Sequence, residues 1–189
     1  MTQIVLASAS ARRKFLLAQI GLNAIIVPSR IKEKLSSDFS PPHQAILLAL
    51  AKAEKVAGKF KSGLIIGADT IVVHKNKIFG KPRDIKDAER ILSILNDSTH
   101  YVYTGIALID AQTKKTLVDI DKTKVITKKI PRVLIKKLAR LNLDKAGAYA
   151  VQENADILVK KIIGDYYNVV GLPLEKLKRL LKNFPAKTT

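Results

Sequence analysis

Residues 64–73, LIIGADTIVV, constrain this chain more than any other segment. They are its strongest buried-strand signal, rich in isoleucine and valine. The quartet Gly67-Ala68-Asp69-Thr70 is read as an interruption at the middle of that strand. A carboxylate in apolar surroundings loses its hydration unless a partner or a metal ion restores it. Small neighbours let a ligand approach the backbone closely. Asp69 is therefore a candidate functional residue, with a turn-capping structural aspartate as the open alternative.

The flanking sequence reads as alternating strands and helices. Residues 3–8 predict a short buried strand and residues 10–20 a helix, with Ser10 as N-cap and Phe15, Leu16 and Ile20 on its apolar face. Gly21 is a natural stop. Residues 24–28 predict a second strand, and 43–59 a helix entered after Pro41-Pro42 and ending near Gly58. His74 to Lys77 reads as a hairpin turn leading into IFGKP, and residues 84–97 as a helix capped by Asp84. Strands follow at 101–110, 115–128 and 156–163, a basic helix at 131–141, and a closing helix at 173–183 with Pro173 in its first turn. Residues 147–149 and 164–168 read as tight loops. Such alternation predicts an α/β or mixed sheet covered by helices. A length of 189 residues suits one domain, or two small lobes sharing a cleft.

Several further residues could do chemistry. The segment Ser8-Ala9-Ser10-Ala11-Arg12-Arg13 joins a strand to a helix, where hydroxyls, backbone N–H groups and a helix N-terminus form an anion site. Two arginines in a first turn oppose the helix dipole unless something negative lies nearby. The segment lacks the glycines and the Gly-Lys-Ser/Thr ending of a P-loop. Lys81, after Gly80, lies across the hairpin from Asp69 and suits a phosphate as a compact point charge. In isolation a solvated turn lysine is the better reading. Glu33 alone is a surface residue; with Asp69 it makes a two-carboxylate set suited to a hard cation. Histidines 43, 74 and 100 show no ligand spacing.

Cysteine is absent, which excludes disulfides, thiolate catalysis and Cys-based zinc sites. The apolar stretches are too short to span a bilayer, and the opening residues do not read as a signal peptide, so a soluble, cytoplasmic protein is expected. The net charge is +18, carried by lysines scattered along the chain. A nucleic-acid module concentrates basic residues on one face, with aromatics interleaved. Scattered lysines predict a general attraction for phosphate-bearing ligands, with nucleic acid not expected as a partner.

Several motifs fall into one order. LASASARRKFLL, KAEKVA, GADTIVV followed by FGKP, HYVYTGIAL, DKAGAY, Gln152 and GDYYNVVGLPL span nearly the whole chain. In this order they resemble the Maf family of nucleotide pyrophosphatases. The resemblance implies a single Maf-like domain over residues 1–189. Its fold would be α/β, a long bent mixed sheet flanked by helices with two lobes around a nucleotide cleft, as in inosine triphosphatases. It implies hydrolysis of a nucleoside triphosphate to a monophosphate and pyrophosphate with a divalent cation, Mg²⁺ or Mn²⁺. Asp69 matches the family's catalytic proton acceptor, and Lys52 and Lys81 its catalytic lysines. Glu33 and Asp69 match the metal ligands. Ser8, Arg12 and Arg13 match the phosphate-binding loop. Arg12, Thr70 and Gln152 match the positions that track base choice, in the combination of the dTTP- and UTP-preferring subgroup. A homodimer and a link to cell-division arrest are further implications of the resemblance.

The chain departs from the pattern at Ala11, which replaces a proline, and at Asn96-Asp97-Ser98, where Ser-Gly-Arg is common. Leu141 stands where a glutamate is usual, and Glu153 and Asn154 follow Gln152 where glycine is common. These last changes bear on substrate preference. The competing readings are a pyrophosphatase for non-standard purine or 7-methylated GTP substrates, and a basic module that binds nucleic acid or a partner protein.

Overall fold

Strand β3 (Leu64–His74) is buried along almost its whole length. The computed structural model describes residues 3–33 and 39–184, Asn154 by its backbone alone. Residues 34–38 of the polar loop lie outside the described residues, as does the Asn154 side chain. Around β3 the chain runs β1 (Ile4–Leu6), α1 (Ala11–Gln19), β2 (Ala24–Ile26) and α2 (Pro41–Ala57) before it, then β4 (Lys77–Phe79), α3 (Ile85–Leu95), β5 (Thr99–Asp110), β6 (Thr116–Thr127) and α4 (Arg132–Leu141). A 3-10 turn at Ala146–Ala148 leads to α5 (Val151–Leu158), β7 (Val159–Ile163), α6 (Tyr166–Val170) and α7 (Leu174–Lys182).

The strands form one mixed sheet in the order β2-β1-β3-β5-β6-β7, with β4 paired to β3. β1 is parallel to both neighbours, Ile4 lying opposite Ala24 and Leu64. β4 is antiparallel to β3, and β7 antiparallel to β6 with a register shift at Ile126/Thr127. The expected α/β class with a mixed sheet flanked by helices is what the chain forms.

The chain divides into two compact units. The first comprises Met1–Asp69, Thr104–Asp121 and Gly171–Thr189; the second comprises Thr70–Tyr103 and Lys122–Val170. The first unit's core joins Val5, Ala7, Ile65, Ala107 and Ile109 to Ala49, Ala53 and Val56 of α2. Ala45, Ala49 and Ala53 recur every fourth residue, so they form one stripe of the helix. That stripe meets glycine. A Cβ on Gly67 would lie 2.2 Å from the Ala49 carbonyl oxygen, and one on Gly105 2.3 Å from that of Ala45. Helix and sheet backbones therefore touch directly. In the second unit α3 packs on α4, burying Ile91, Leu92 and Leu95 with Ile135 and Leu138.

Local signals predicted most boundaries. Ser10 caps α1, its hydroxyl accepting from the Arg13 N–H, and Asp84 caps α3 by accepting from the Asp87 N–H. Gly21 ends α1 with φ +76°, and the Leu22 N–H closes on the Leu17 carbonyl. Lys75 and Asn76 both have positive φ, the signature of a type I′ hairpin turn.

Five expectations differ. β3 is continuous through Gly67–Thr70, because the small residues admit α2 rather than break the strand. Phe15 is 56% exposed; Leu16 and Leu17 carry the buried face of α1. Pro41 and Pro42 form the first turn of α2, where a missing N–H costs nothing. Residues 151–158 are a helix, so the strand expected at 156–163 begins only at Val159, and α6 occupies much of the loop expected at 164–168.

Candidate active site

Asp69 sits in β3 with 4% of its surface exposed. Its Oδ1 accepts a hydrogen bond from Lys52 Nζ at 2.5 Å. The same ammonium lies 2.6 Å from Glu33 Oε1. Lys52 projects from α2, three residues beyond Ala49, so the glycine contact that seats the helix also seats the lysine. Two carboxylates thus converge on one cationic point. Burial raises the Asp69 carboxyl above the usual carboxylate range; Lys52 and then Arg13 oppose that, and Glu33 adds to it.

Arg13 faces these carboxylates from α1. Burial pushes its guanidinium below the usual value and Arg12 adds to that, while Asp69 and Glu33 pull it back up. Its Nε donates to the Gly171 carbonyl at 2.8 Å and its Nη1 to Ser8 Oγ at 3.1 Å. Ser8 Oγ also accepts from the Ser10 N–H. No acidic residue lies in the first turn of α1, so the charge that the arginines meet comes from β3 and from the loop after β2.

The first unit therefore brings Ser8, Arg13, Glu33, Lys52 and Asp69 together, with Arg12 acting electrostatically on Arg13. Thr70, Lys81 and Gln152 belong to the second unit. Thr70 is half-buried and points to the opposite side of β3 from Asp69. Lys81 is exposed in the turn after β4, a turn held by the Gly147 N–H bonding to the Gly80 carbonyl. Gln152 is exposed in the first turn of α5. Beside it, Glu153 pairs with the buried Lys145 at 3.8 Å, and Lys145 holds Asp144 at 2.9 Å.

Sequence reasoning missed two contributors. Gly171, at φ +119°, supplies the carbonyl that orients Arg13, and Gly105 lets α2 reach the sheet. Gly171 stands inside a motif, but nothing local to it points to an arginine 158 residues away. Among the described residues, no three His, Cys, Asp or Glu side chains cluster to hold a metal ion. The candidate donors are the two carboxylates that share Lys52.

The profile of the Maf-like protein family matches residues 3–184. The chain belongs to the Maf family. Relatives named dTTP/UTP pyrophosphatase include a Dictyoglomus turgidum protein, 41% identical over 96% of each chain, and an Acetivibrio thermocellus protein, 45% identical over 97% of this chain and 96% of its own. The Maf fold here is also similar to the Staphylococcus aureus Ham1 protein structure (TM-score 0.54, 13% identity, 97% of this chain and 100% of that one). A HAM1 protein from Coxiella burnetii gives a TM-score of 0.51 at 16% identity, with the same coverage. No helix among the described residues is long and apolar enough to cross a membrane.

Proposed function

We propose that this chain hydrolyses nucleoside triphosphates between the α and β phosphates, with dTTP and UTP as its preferred substrates. Relatives of that name, matching at about two residues in five over nearly the full chain, support the reaction. The observation that carries the chemistry is Asp69, buried, raised in pKa, and tied through Lys52 to Glu33. A carboxylate moved towards neutral pH is a better general base for water than one at its usual value. Asp69 takes the proton as water attacks the α-phosphorus, and pyrophosphate leaves.

Cationic groups do the rest, because phosphoryl transfer depends chiefly on positioning and charge stabilisation. Arg13, oriented by Gly171 and Ser8, brings positive charge to the phosphates. Arg12 and the N-terminus of α1 add to that anion site. Lys52 keeps Asp69 oriented. Lys81, as a compact point charge, holds phosphate, and Thr70 and Gln152 keep the base-reading roles that the family resemblance gives them. Gln152 can donate and accept at once, as a pyrimidine edge with a carbonyl and an N–H requires.

The donor set fits a divalent cation. Two oxygen donors gathered on one positive point suit Mg²⁺ or Mn²⁺, which bind through one or two carboxylates plus water and phosphate. Glu33 and Asp69 would hold it. When bound, it would neutralise charge on the triphosphate.

A panel of dTTP, UTP, CTP, ITP and 7-methyl-GTP, assayed for pyrophosphate release, tests the substrate reading. dTTP and UTP should lead in kcat/KM. Gln152→Ala should flatten that preference by about tenfold, roughly 1.4 kcal/mol of discrimination. An unchanged profile would remove Gln152 from base recognition, and a lead for ITP or 7-methyl-GTP would overturn the pyrimidine reading.

A further inference from the structure

One face of the second unit's sheet carries chemistry that the hydrolysis does not use. Tyr101 and Tyr103 alternate along β5 with the buried His100 and Val102, so both rings lie on the same side. Their centroids are 6.5 Å apart at 47°. The Lys122 ammonium stands over both rings, 4.3 Å from the Tyr101 centroid and 5.7 Å from that of Tyr103. This places Lys122 of β6 on the tyrosine face, and alternation adds Lys124. Lys124 lies opposite Ile163, and Ile126 opposite Lys161, so β7 contributes Lys161 to the same face. Lys122 and Lys161 are exposed; Tyr101, Tyr103 and Lys124 are partly exposed. The other side of β6 is the covered one. There Thr123, Val125 and Thr127 are buried, and Thr123 bonds to Asn168 and to the Asp165 carbonyl. None of the face positions on these three strand segments is acidic.

Aromatic rings on an open sheet, set among lysines, match one ligand chemistry. Unpaired bases stack on the rings and the backbone phosphates meet the ammonium groups. A duplex keeps its bases stacked inside and cannot use the rings. We infer that this face binds single-stranded nucleic acid, successive bases stacking on Tyr101 and Tyr103 while Lys122, Lys124 and Lys161 contact phosphates. The inference stands independently of the proposed hydrolysis.

The test uses the full chain and a fluorescein-labelled dT12, read by anisotropy across a salt series, with a duplex of equal length beside it. Tyrosine emission gives a second readout, since the chain has five tyrosines and no tryptophan. The single strand should bind at least tenfold more tightly than the duplex and quench tyrosine emission. Tyr101→Ala with Tyr103→Ala should weaken it at least tenfold, and the double Phe variant should restore it. Lys122→Gln, a surface change that spares the rings, should reduce the salt slope by about 0.7. Pyrophosphate release should stay at the wild-type level in all three. Equal binding of duplex and single strand, insensitive to the tyrosines, would mean diffuse charge alone and overturn the proposal. So would displacement by free dTTP together with a raised KM in the alanine variant, which would make the face part of the substrate site. A dimer that the tyrosine variants split would assign the face to a second copy instead.

Discussion

At Asp69, burial favours the neutral acid and Lys52 favours the carboxylate. Removing the lysine takes away the opposing effect. Lys52→Met should raise the Asp69 pKa further and cost about 3 kcal/mol of stability at neutral pH, because a buried charge loses its partner. The folded pKa then lies above the unfolded one, so the cost is fully present above the folded value. It fades as pH falls towards the unfolded value. Urea unfolding of the variant at pH 7.5 and 5 should show the deficit shrinking at the lower pH; a deficit independent of pH would contradict this account of Asp69. His100 runs the other way. Burial, and to a lesser degree His74, holds it down to about 4, and its Nε2 is 2.7 Å from the Tyr149 hydroxyl. Its folded pKa lies below its unfolded 6.5, so the unfolded chain takes up the proton first. Stability should fall by about 3 kcal/mol as pH drops from 6.5 to 4. His100→Gln should remove that share of the acid sensitivity, measurable by urea unfolding at pH 7 and 4.5.

At the scale of elements, α2 is the part that builds the site. Its alanine stripe lies directly on Gly67 and Gly105. Gly67→Ala or Gly105→Ala drives a methyl into helix backbone, so each should cost about 3 kcal/mol and displace Lys52 from Asp69. Gly21→Ala is the contrast: it meets open space but keeps φ +76°, and should cost only about 1 kcal/mol without loss of activity. Urea unfolding and pyrophosphate release on the three variants check both statements. These contacts explain what the sequence revealed and what it hid. Ser10, Asp84 and the Lys75-Asn76 turn announce themselves because caps and turns are made by neighbours in sequence. Gly67 read as a strand break because its reason for being glycine is contact with Ala49 and Ala53 of α2, a separate element of the chain. α5 was missed because no side chain caps it and VKKII behind it is a strand that drew the prediction forward. The ordered motifs named Ser8, Arg13, Lys52 and Asp69, and the pairing with Asp69 suggested Glu33, yet that one ammonium joins both carboxylates, and that Gly171 aims Arg13, follows only from packing across distant segments.

For the whole molecule, relatedness and fold are separate signals. The Dictyoglomus turgidum and Acetivibrio thermocellus relatives match at 41% and 45% identity, whereas the Ham1 structures share the fold at 13% and 16%. The net charge of +18 suits phosphate-bearing ligands of any kind, so charge alone does not select a reaction. The selection rests on the buried carboxylate and the groups around it. The direct measurement is pyrophosphate release from dTTP and UTP with Mg²⁺ or Mn²⁺, wild type beside Asp69→Asn, with circular dichroism to show that both are folded. The account predicts release by wild type and at least a thousandfold lower rate in the variant. Wild-type turnover in folded Asp69→Asn would contradict it.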